Sequence, residues 1–135
     1  MPEPKVNYIM SFDYGTKKMG VAIGQTVTAS ANPLKKISAK DGIPNWNDID
    51  KLVKEWQPDL FVVGLPLNMD GSESEISIRA KKFARRLTGR FNIPHKTVDE
   101  RLSSFEAKLY AGESDDIDSI AASLILGTYF REKKD

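Results

Sequence analysis

Three carboxylate residues stand where a purely structural role explains them poorly. Asp13 ends an apolar segment just before Gly15, and Glu100 follows Asp99 at the end of another apolar segment. Asp118 lies at the margin of the apolar face of a C-terminal helical pattern. Carboxylates that are brought together repel one another unless a cation neutralises them. Mg²⁺ or Mn²⁺ suits oxygen ligands, and two such ions about 4 Å apart would support phosphodiester hydrolysis.

Each of these acids also has an ordinary structural explanation. An aspartate before a glycine is often a turn residue, and Glu100 could be a surface acid. Asp118 could cap a helix or interact favourably with its dipole. Ser114, Asp115 and Asp116 already offer caps, however, which weakens that explanation for Asp118.

The composition excludes several other kinds of site. The 135 residues contain no cysteine, which excludes disulfides and thiolate sites. The single histidine, His95, excludes any site that needs two imidazoles. No signal-peptide pattern follows the N-terminus, and no apolar run approaches the ~20 residues that span a bilayer. We therefore expect one cytosolic domain over residues 1–135.

Positive charge is concentrated in one segment, although the formal net charge is only +1. Residues 79–101 contain eight Lys or Arg against two acids, whereas residues 113–118 contain four acids and no base. A local basic field can hold phosphates, which predicts nucleic acid as a partner. A solvated helix face is the alternative explanation. The candidate substrate-binding residues are Lys17, Asn68, Arg79, Lys82, Arg86, Arg90 and Arg101.

The elements that would position these residues follow the order βββαβαβαα. Residues 6–12 and 19–23 form a predicted hairpin, and a third strand covers residues 28–37 with an interruption at Pro33. The order predicts an α/β fold with a mixed β-sheet flanked by helices on both faces. The next predicted elements are a helix with Ile49, Leu52, Val53 and Trp56 inward and a buried strand at 60–65. A helix opened by a Ser72–Glu75 capping box and a strand at 96–98 follow. The last predicted elements are a second capping box at Ser103 and Glu106 and a helix with Ile117, Ile120, Ala121, Leu124 and Ile125 on one face.

Four stretches of the sequence carry a resemblance to a known family. They read FDYGTK followed by GVAIG, VGLPLNMDG, DERLS, and DSIAA followed by IL. In these stretches the chain resembles the YqgF/RuvX family, relatives of the RuvC Holliday-junction resolvases in the ribonuclease H-like superfamily. The match extends from about residue 8 to about residue 130, with the elements in order.

The resemblance implies a ribonuclease H-like fold, a catalytic and metal-binding triad of Asp13, Glu100 and Asp118, and Mg²⁺ or Mn²⁺ as cofactor. It also implies processing of the 5′ end of precursor 16S ribosomal RNA in ribosome assembly, or cleavage of branched DNA. The residues alone do not choose between these substrates. The loop before Asp118 is short and acidic, whereas family members have a longer loop rich in glycine and lysine. Asp115 and Asp116 are therefore rival third ligands, although the Asp-Ser-x-Ala-Ala context favours Asp118.

Two further interpretations compete with a nuclease. The Asp-x-Gly-Thr pattern also opens phosphate loops in sugar kinases and actin-like ATPases, but those enzymes need two such domains. A non-catalytic module that binds nucleic acid or a ribosome factor could keep the same fold. The acidic loop favours this second alternative, and the three acids oppose it.

Overall fold

The chain folds around one mixed β-sheet. The computed structural model describes residues 8–68, 70–99 and 117–133. The strands are β1 (Tyr8–Asp13), β2 (Lys18–Gln25), β3 (Asn32–Lys40), β4 (Ile43–Pro44), β5 (Leu60–Leu65) and β6 (His95–Asp99). The helices are α1 (Trp46–Trp56), α2 (Glu75–Phe91) and α3 (Ile117–Lys133). The strand order across the sheet is β4-β3-β2-β1-β5-β6.

Strand β1 lies between an antiparallel and a parallel neighbour. It pairs antiparallel with β2, in a register that places Asp13 opposite Gly20. It pairs parallel with β5, which pairs parallel with β6. The carboxyl ends of β1, β5 and β6 therefore lie along one edge of the sheet, which we call the carboxyl edge. This arrangement confirms the predicted mixed sheet.

The two faces of the sheet carry different helices. Met10 and Phe12 of β1 belong to a core that includes Ile49 of α1 and Phe83 of α2. Ile9, on the opposite face of β1, packs in a second core with residues of α3. Successive side chains of a strand point to opposite faces, so one strand contributes to both cores. The prediction of helices on both faces is confirmed.

Helix α3 lies unusually close to β2. A Cβ atom added at Gly20 would lie 1.8 Å from the backbone oxygen of Asp118. A Cβ added at Gly24 would lie 2.8 Å from a Cδ atom of Leu126. On the β1 side, the Ser11 hydroxyl donates a buried hydrogen bond to the carbonyl of Ala122 at 2.7 Å. Small residues on β2 and this hydrogen bond hold α3 against the hairpin.

Strand β3 begins later than the sequence pattern predicts. A turn precedes it, in which Ala29 has a left-handed backbone with φ 51°. Pro33 pairs opposite Ala22, beside a register shift at which β3 has one more residue, Leu34, than β2. A proline is tolerated there because its missing N–H falls at an irregular point of the ladder. Lys35 and Lys36 follow on the exposed part of the strand.

Helix α2 begins at a different cap from the predicted Ser72–Glu75 box. Ser74 is the N-cap, and its hydroxyl oxygen accepts a hydrogen bond from the Ser77 amide at 3.0 Å. Ser72 instead donates to the Asp70 carboxylate through both its amide and its hydroxyl. The predicted cap was wrong because Asp70 already holds Ser72 in a turn.

The buried face of α3 is rotated from the predicted one. Ile120 and Leu124 are only half-buried, whereas Ala122, Leu126 and Tyr129 join the predicted Ala121 and Ile125 in the core. The rotation follows from the close approach to β2, which admits Ala122 and Leu126 against strand backbone. Ser103 and Glu106 lie outside the described residues. In the described ranges, no helix has the length and apolar character needed to cross a membrane.

Candidate functional site

Asp13 lies at the carboxyl edge and faces α3. It is the last residue of β1 and is half-buried. Ser11, two residues earlier, bonds to Ala122 of α3, so its side chain defines the α3 face of the strand. Because side chains alternate between the two faces along a strand, the Asp13 side chain lies on the same face as that of Ser11.

Asp118 lies in the first turn of α3, at the same edge. Its backbone occupies the space that a side chain on Gly20 would need, and Gly20 is the register partner of Asp13. The two aspartates are therefore close neighbours across one glycine. The Asp118 carboxylate lies 3.3 Å from the Lys18 ammonium, and its side chain is 21% exposed. The structure thus places two of the three predicted acids at the same edge and on the same face of the sheet.

The predicted third carboxylate, Glu100, lies outside the described residues, as does Arg101. Its neighbour Asp99 ends β6 in register with Leu65, which is buried on the α1/α2 face. Val98 packs on the α3 face. Asp99 therefore points to the face opposite Asp13, which removes it as a substitute for Glu100. Asp115 and Asp116, the rival ligands, are also outside the described part of the chain.

The donor groups at this edge fit a hard divalent cation. Asp13 and Asp118 offer carboxylate oxygens only, which Mg²⁺ and Mn²⁺ prefer. His95 is not near them, because it bonds through Nδ1 to the Thr88 hydroxyl of α2 at 2.7 Å. Across the described ranges, no three acidic or histidine residues are grouped closely enough to hold a metal. A metal ion held at this edge by three such side chains would therefore need a ligand from outside those ranges.

Two other candidate residues lie in turns at the carboxyl edge. Lys17 is exposed in the β1–β2 turn, and its carbonyl accepts a hydrogen bond from Ala39. Asn68 follows β5, and its side-chain amide donates to the Ser72 hydroxyl at 3.0 Å. Asn68 therefore closes its own turn. Substrate binding by either residue stays a prediction.

The four predicted cations of α2 do not act as one group. Arg79, Lys82 and Arg86 line a pocket on the α1/α2 face. Arg90 instead makes two hydrogen bonds of 2.9 Å to Asp50 of α1. These bonds lower the pKa of the Asp50 carboxyl below its usual value. Arg90 thus joins two helices, and substrate binding by any of the four remains untested.

The sequence matches a known protein family over most of its length. A family profile described as "RuvX: Holliday junction resolvase" matches residues 7–132. This chain belongs to the RuvX family. The resemblance found in the sequence motifs is thereby confirmed.

Relatives within the RuvX family are similar over nearly their whole length. A protein of Shewanella denitrificans is 53% identical over 135 residues, which covers 94% of this chain and 96% of the relative. A protein of Aeromonas hydrophila is 55% identical, over 93% of this chain and 95% of the relative. Both carry the name "Putative pre-16S rRNA nuclease".

Solved structures of resolvases share the fold of this RuvX-family chain. The RuvC protein of T. thermophilus, in complex with a Holliday junction substrate, superposes with a TM-score of 0.54 at 10% identity, covering 95% of this chain and 96% of RuvC. Fowlpox virus resolvase with Holliday junction DNA gives 0.54 at 16% identity, over 95% and 99% of the two chains. At such low identity the likeness concerns the fold alone, and it confirms the expected ribonuclease H-like α/β class.

Sequence reasoning missed Lys18 of this RuvX-family chain. The hairpin pattern contained a usable signal, because Lys18 alternates with Gly20 and so must share the face of Asp13. Trp46 packs on Phe83 and also lines the pocket of the α2 cations. No local pattern predicts that pocket, because its walls come from segments far apart in the sequence.

Proposed function

We propose that this chain hydrolyses phosphodiester bonds, with Asp13, Glu100 and Asp118 as catalytic carboxylates. The observation that carries this proposal is the contact of Asp118 with Gly20, the register partner of Asp13. It brings two acids from opposite ends of the chain to one edge of the sheet. Membership of a family described as resolvases, with relatives named as nucleases, supports the same reaction class.

The same three carboxylates would hold Mg²⁺ or Mn²⁺, and we propose two ions. When bound, such ions lower the pKa of water and stabilise the leaving oxygen of a phosphodiester. Rigid supports keep the ligands in place: the Ser11–Ala122 hydrogen bond ties α3 to β1, and Gly20 lets α3 approach β2. Lys18 supplies a positive charge beside Asp118, which offsets part of the local acidity.

As natural substrate we propose precursor 16S ribosomal RNA, cleaved at its 5′ end in ribosome-assembly intermediates in the cytoplasm. The names of the relatives from Shewanella denitrificans and Aeromonas hydrophila support this choice. Branched DNA is the second candidate, which the family description and the resolvase-like fold favour. A non-catalytic nucleic-acid-binding module of the same fold is the third. We also propose that residues 1–135 form a single domain.

A cleavage assay tests the three candidates together. The protein is incubated with Mg²⁺, Mn²⁺ or EDTA on a precursor 16S RNA with its 5′ extension, on a four-way DNA junction and on linear duplexes. We expect RNA cleavage at the mature 5′ end, absent in EDTA and in Asp13→Asn and Glu100→Gln. Glu55→Gln, an exposed position on α1, is the charge-matched control and should cleave normally.

Each other outcome selects another candidate. Faster cleavage of the junction than of the RNA would favour the resolvase. Binding of both substrates without cleavage, under every metal condition, would favour the non-catalytic module. Full activity in EDTA or in Asp13→Asn would reject the proposed metal-carboxylate mechanism.

A further inference from the structure

A pocket of about 280 Å³ opens on the α1/α2 face near the carboxyl edge. It is lined by four separate segments: the residue after β1, the β3–β4 turn with β4, the first residue of α1, and residues 79–86 of α2. We call it the basic pocket. The residues that matter here are Tyr14, Gly42, Trp46, Arg79, Lys82 and Arg86.

One wall of the basic pocket is fixed by the β3–β4 turn. The Tyr14 hydroxyl donates to the Gly42 carbonyl at 3.0 Å, and Arg79 donates to the Asp41 carbonyl at 2.6 Å. Gly42 has φ +83°, and a Cβ there would lie 2.3 Å from the Tyr14 hydroxyl oxygen and 2.5 Å from an Arg79 nitrogen. The turn can therefore seat against both side chains only with glycine at this position.

Lys82 and Arg86 supply positive charge that is not used for structure. With Arg79 they follow i, i+3, i+7 spacing, so they lie along one face of α2. Both are exposed, and neither forms an ion pair with any residue in the described ranges. Arg79, in contrast, pairs with Asp41. Two cations at the mouth of the pocket can therefore receive an anion.

Trp46 adds an aromatic wall to the basic pocket. Its ring is half-buried and packs on Phe83, with ring centroids 5.9 Å apart. The Arg90 guanidinium lies 5.0 Å from the indole centroid, and Asp50 in turn holds Arg90. The indole is thus held in place. An aromatic ring beside cationic side chains is the combination that binds a nucleotide, through base stacking and phosphate contacts.

The basic pocket and the candidate catalytic acids are linked through adjacent residues of the chain. Asp13 faces α3, whereas Tyr14 packs in the core on the other face. We propose that the basic pocket binds one unpaired nucleotide of the substrate strand, with its base on Trp46 and its phosphate at Lys82 and Arg86. The strand then passes around the carboxyl edge to Asp13 and Asp118. This inference rests on the proposed nuclease function and assigns it a preference for substrates with a single-stranded segment.

Tryptophan fluorescence tests the proposal directly, because the chain has two tryptophans. The variant Trp56→Phe retains only Trp46 and is titrated with a short 5′-phosphorylated oligoadenylate. Cleavage is prevented by EDTA and by Asp13→Asn in the same chain. We expect quenching of Trp46, and a Kd that rises about threefold or more when Arg86→Ala is added. Arg85→Ala, the adjacent exposed arginine outside the pocket, is the matched control and should leave Kd nearly unchanged.

The proposal would be overturned by no quenching of Trp46, by equal weakening from Arg85→Ala and Arg86→Ala, or by equal affinity for a blunt duplex RNA. Equal affinity for adenosine monophosphate would replace the strand by a free nucleotide and also overturn it. Trp46→Phe, which retains only Trp56 lining a different cavity, should show no quenching. Binding is measured without cleavage. Failure of the cleavage assay would therefore reject the catalytic function, whereas the titration would still test whether the basic pocket binds a nucleotide.

Discussion

The two faces of the sheet differ in charge and in construction at the edge where β1 ends. On the α3 face, two aspartates meet across Gly20, with Lys18 beside them. On the α1/α2 face, cations of α2 lie beside an aromatic wall, and Asp41 and Asp50 pair with two of them, Arg79 and Arg90. The first arrangement suits a catalytic metal cation, and the second suits the phosphate and base of a nucleic-acid strand.

One short strand, β1, therefore serves both sites. Alternation places Asp13 and Tyr14 on opposite faces, although they are consecutive residues. The acids are held by backbone contacts of α3, whereas the basic pocket is held by side-chain hydrogen bonds to a turn. Substitutions on one face should therefore change catalysis or binding separately.

We expect a substitution on the α3 face to cause the greatest loss of activity. Asp118→Asn keeps the shape of the side chain but removes a charged ligand. We expect activity to fall by at least about a hundredfold, since even the outer partners of metal ligands contribute 10–100-fold. The measurement is the cleavage rate at saturating Mn²⁺, with circular dichroism to check the fold.

Two neighbouring acids are the controls for Asp118→Asn. Asp115→Asn and Asp116→Asn remove the same charge two or three residues earlier in the sequence and should leave the rate nearly unchanged. If either loses activity while Asp118→Asn retains it, the third ligand has been assigned to the wrong aspartate.

The second effect is on stability and tests the contact that joins the acids. Gly20→Ala would force a methyl group into the Asp118 carbonyl, so α3 must shift. We expect a loss of about 3 kcal/mol in the free energy of unfolding, or a fall of roughly 10 °C in melting temperature. Gly89→Ala, where an added Cβ meets nothing within 4 Å, should instead stabilise by about 1 kcal/mol. If Gly20→Ala leaves the free energy of unfolding unchanged, α3 does not lie against β2 in this way.

The third effect separates binding from chemistry. Lys82→Ala with Arg86→Ala should raise KM by about tenfold and leave kcat nearly unchanged, because these residues are assigned to binding alone. The slope of the logarithm of the association constant against the logarithm of the salt concentration should also become shallower, by about 0.7 for each single-strand phosphate that the variant no longer neutralises. Lys54→Ala with Arg85→Ala removes equal charge elsewhere and should change KM much less. A loss confined to kcat would contradict the division between the two faces.

The smallest effect concerns Asp50 and Arg90. Arg90 lowers the folded-state pKa of Asp50. The pair of Asp50 and Arg90 therefore stabilises the folded protein above the unfolded pKa of about 3.9, and this contribution is lost as pH falls through the folded-state pKa. Asp50→Asn should therefore melt slightly below the wild type at pH 7. The gap should close as the pH is lowered through the acid range. Thermal melts from pH 7 to pH 3 check this, and a gap independent of pH would contradict it.

Elements with strong local patterns could be predicted from the sequence. The run 60–65 is apolar throughout, and β5 occupies those residues. The hairpin, the α1 face and the fold class follow from similar patterns. The cap of α2 could not be predicted, because two serines compete and a hydrogen bond to Asp70 decides which one starts the helix.

The candidate site was only partly predictable for a different reason. Asp13 and Asp118 were identified by residue type and by family motifs, and the structure brings them together. The Lys18 pair and the basic pocket depend on contacts between distant segments, such as Gly42 with Tyr14 and Arg79, which no local pattern encodes. Glu100 and Arg101 lie outside the described residues, so their roles stay predictions.

The outer strand β3 has a consequence for how the protein behaves at high concentration. In the described part of the chain, only Ala39 and Lys40 of β3 pair with β4, so much of its outer edge has no strand beside it. Unpaired strand edges invite association with other chains, and proline and lysine discourage it. Pro33 interrupts the regular row of donors, and Lys35 and Lys36 would bring like charges together in any edge-to-edge contact. Among the described residues, the proline and the two lysines are therefore what protects the open side of the sheet from aggregation.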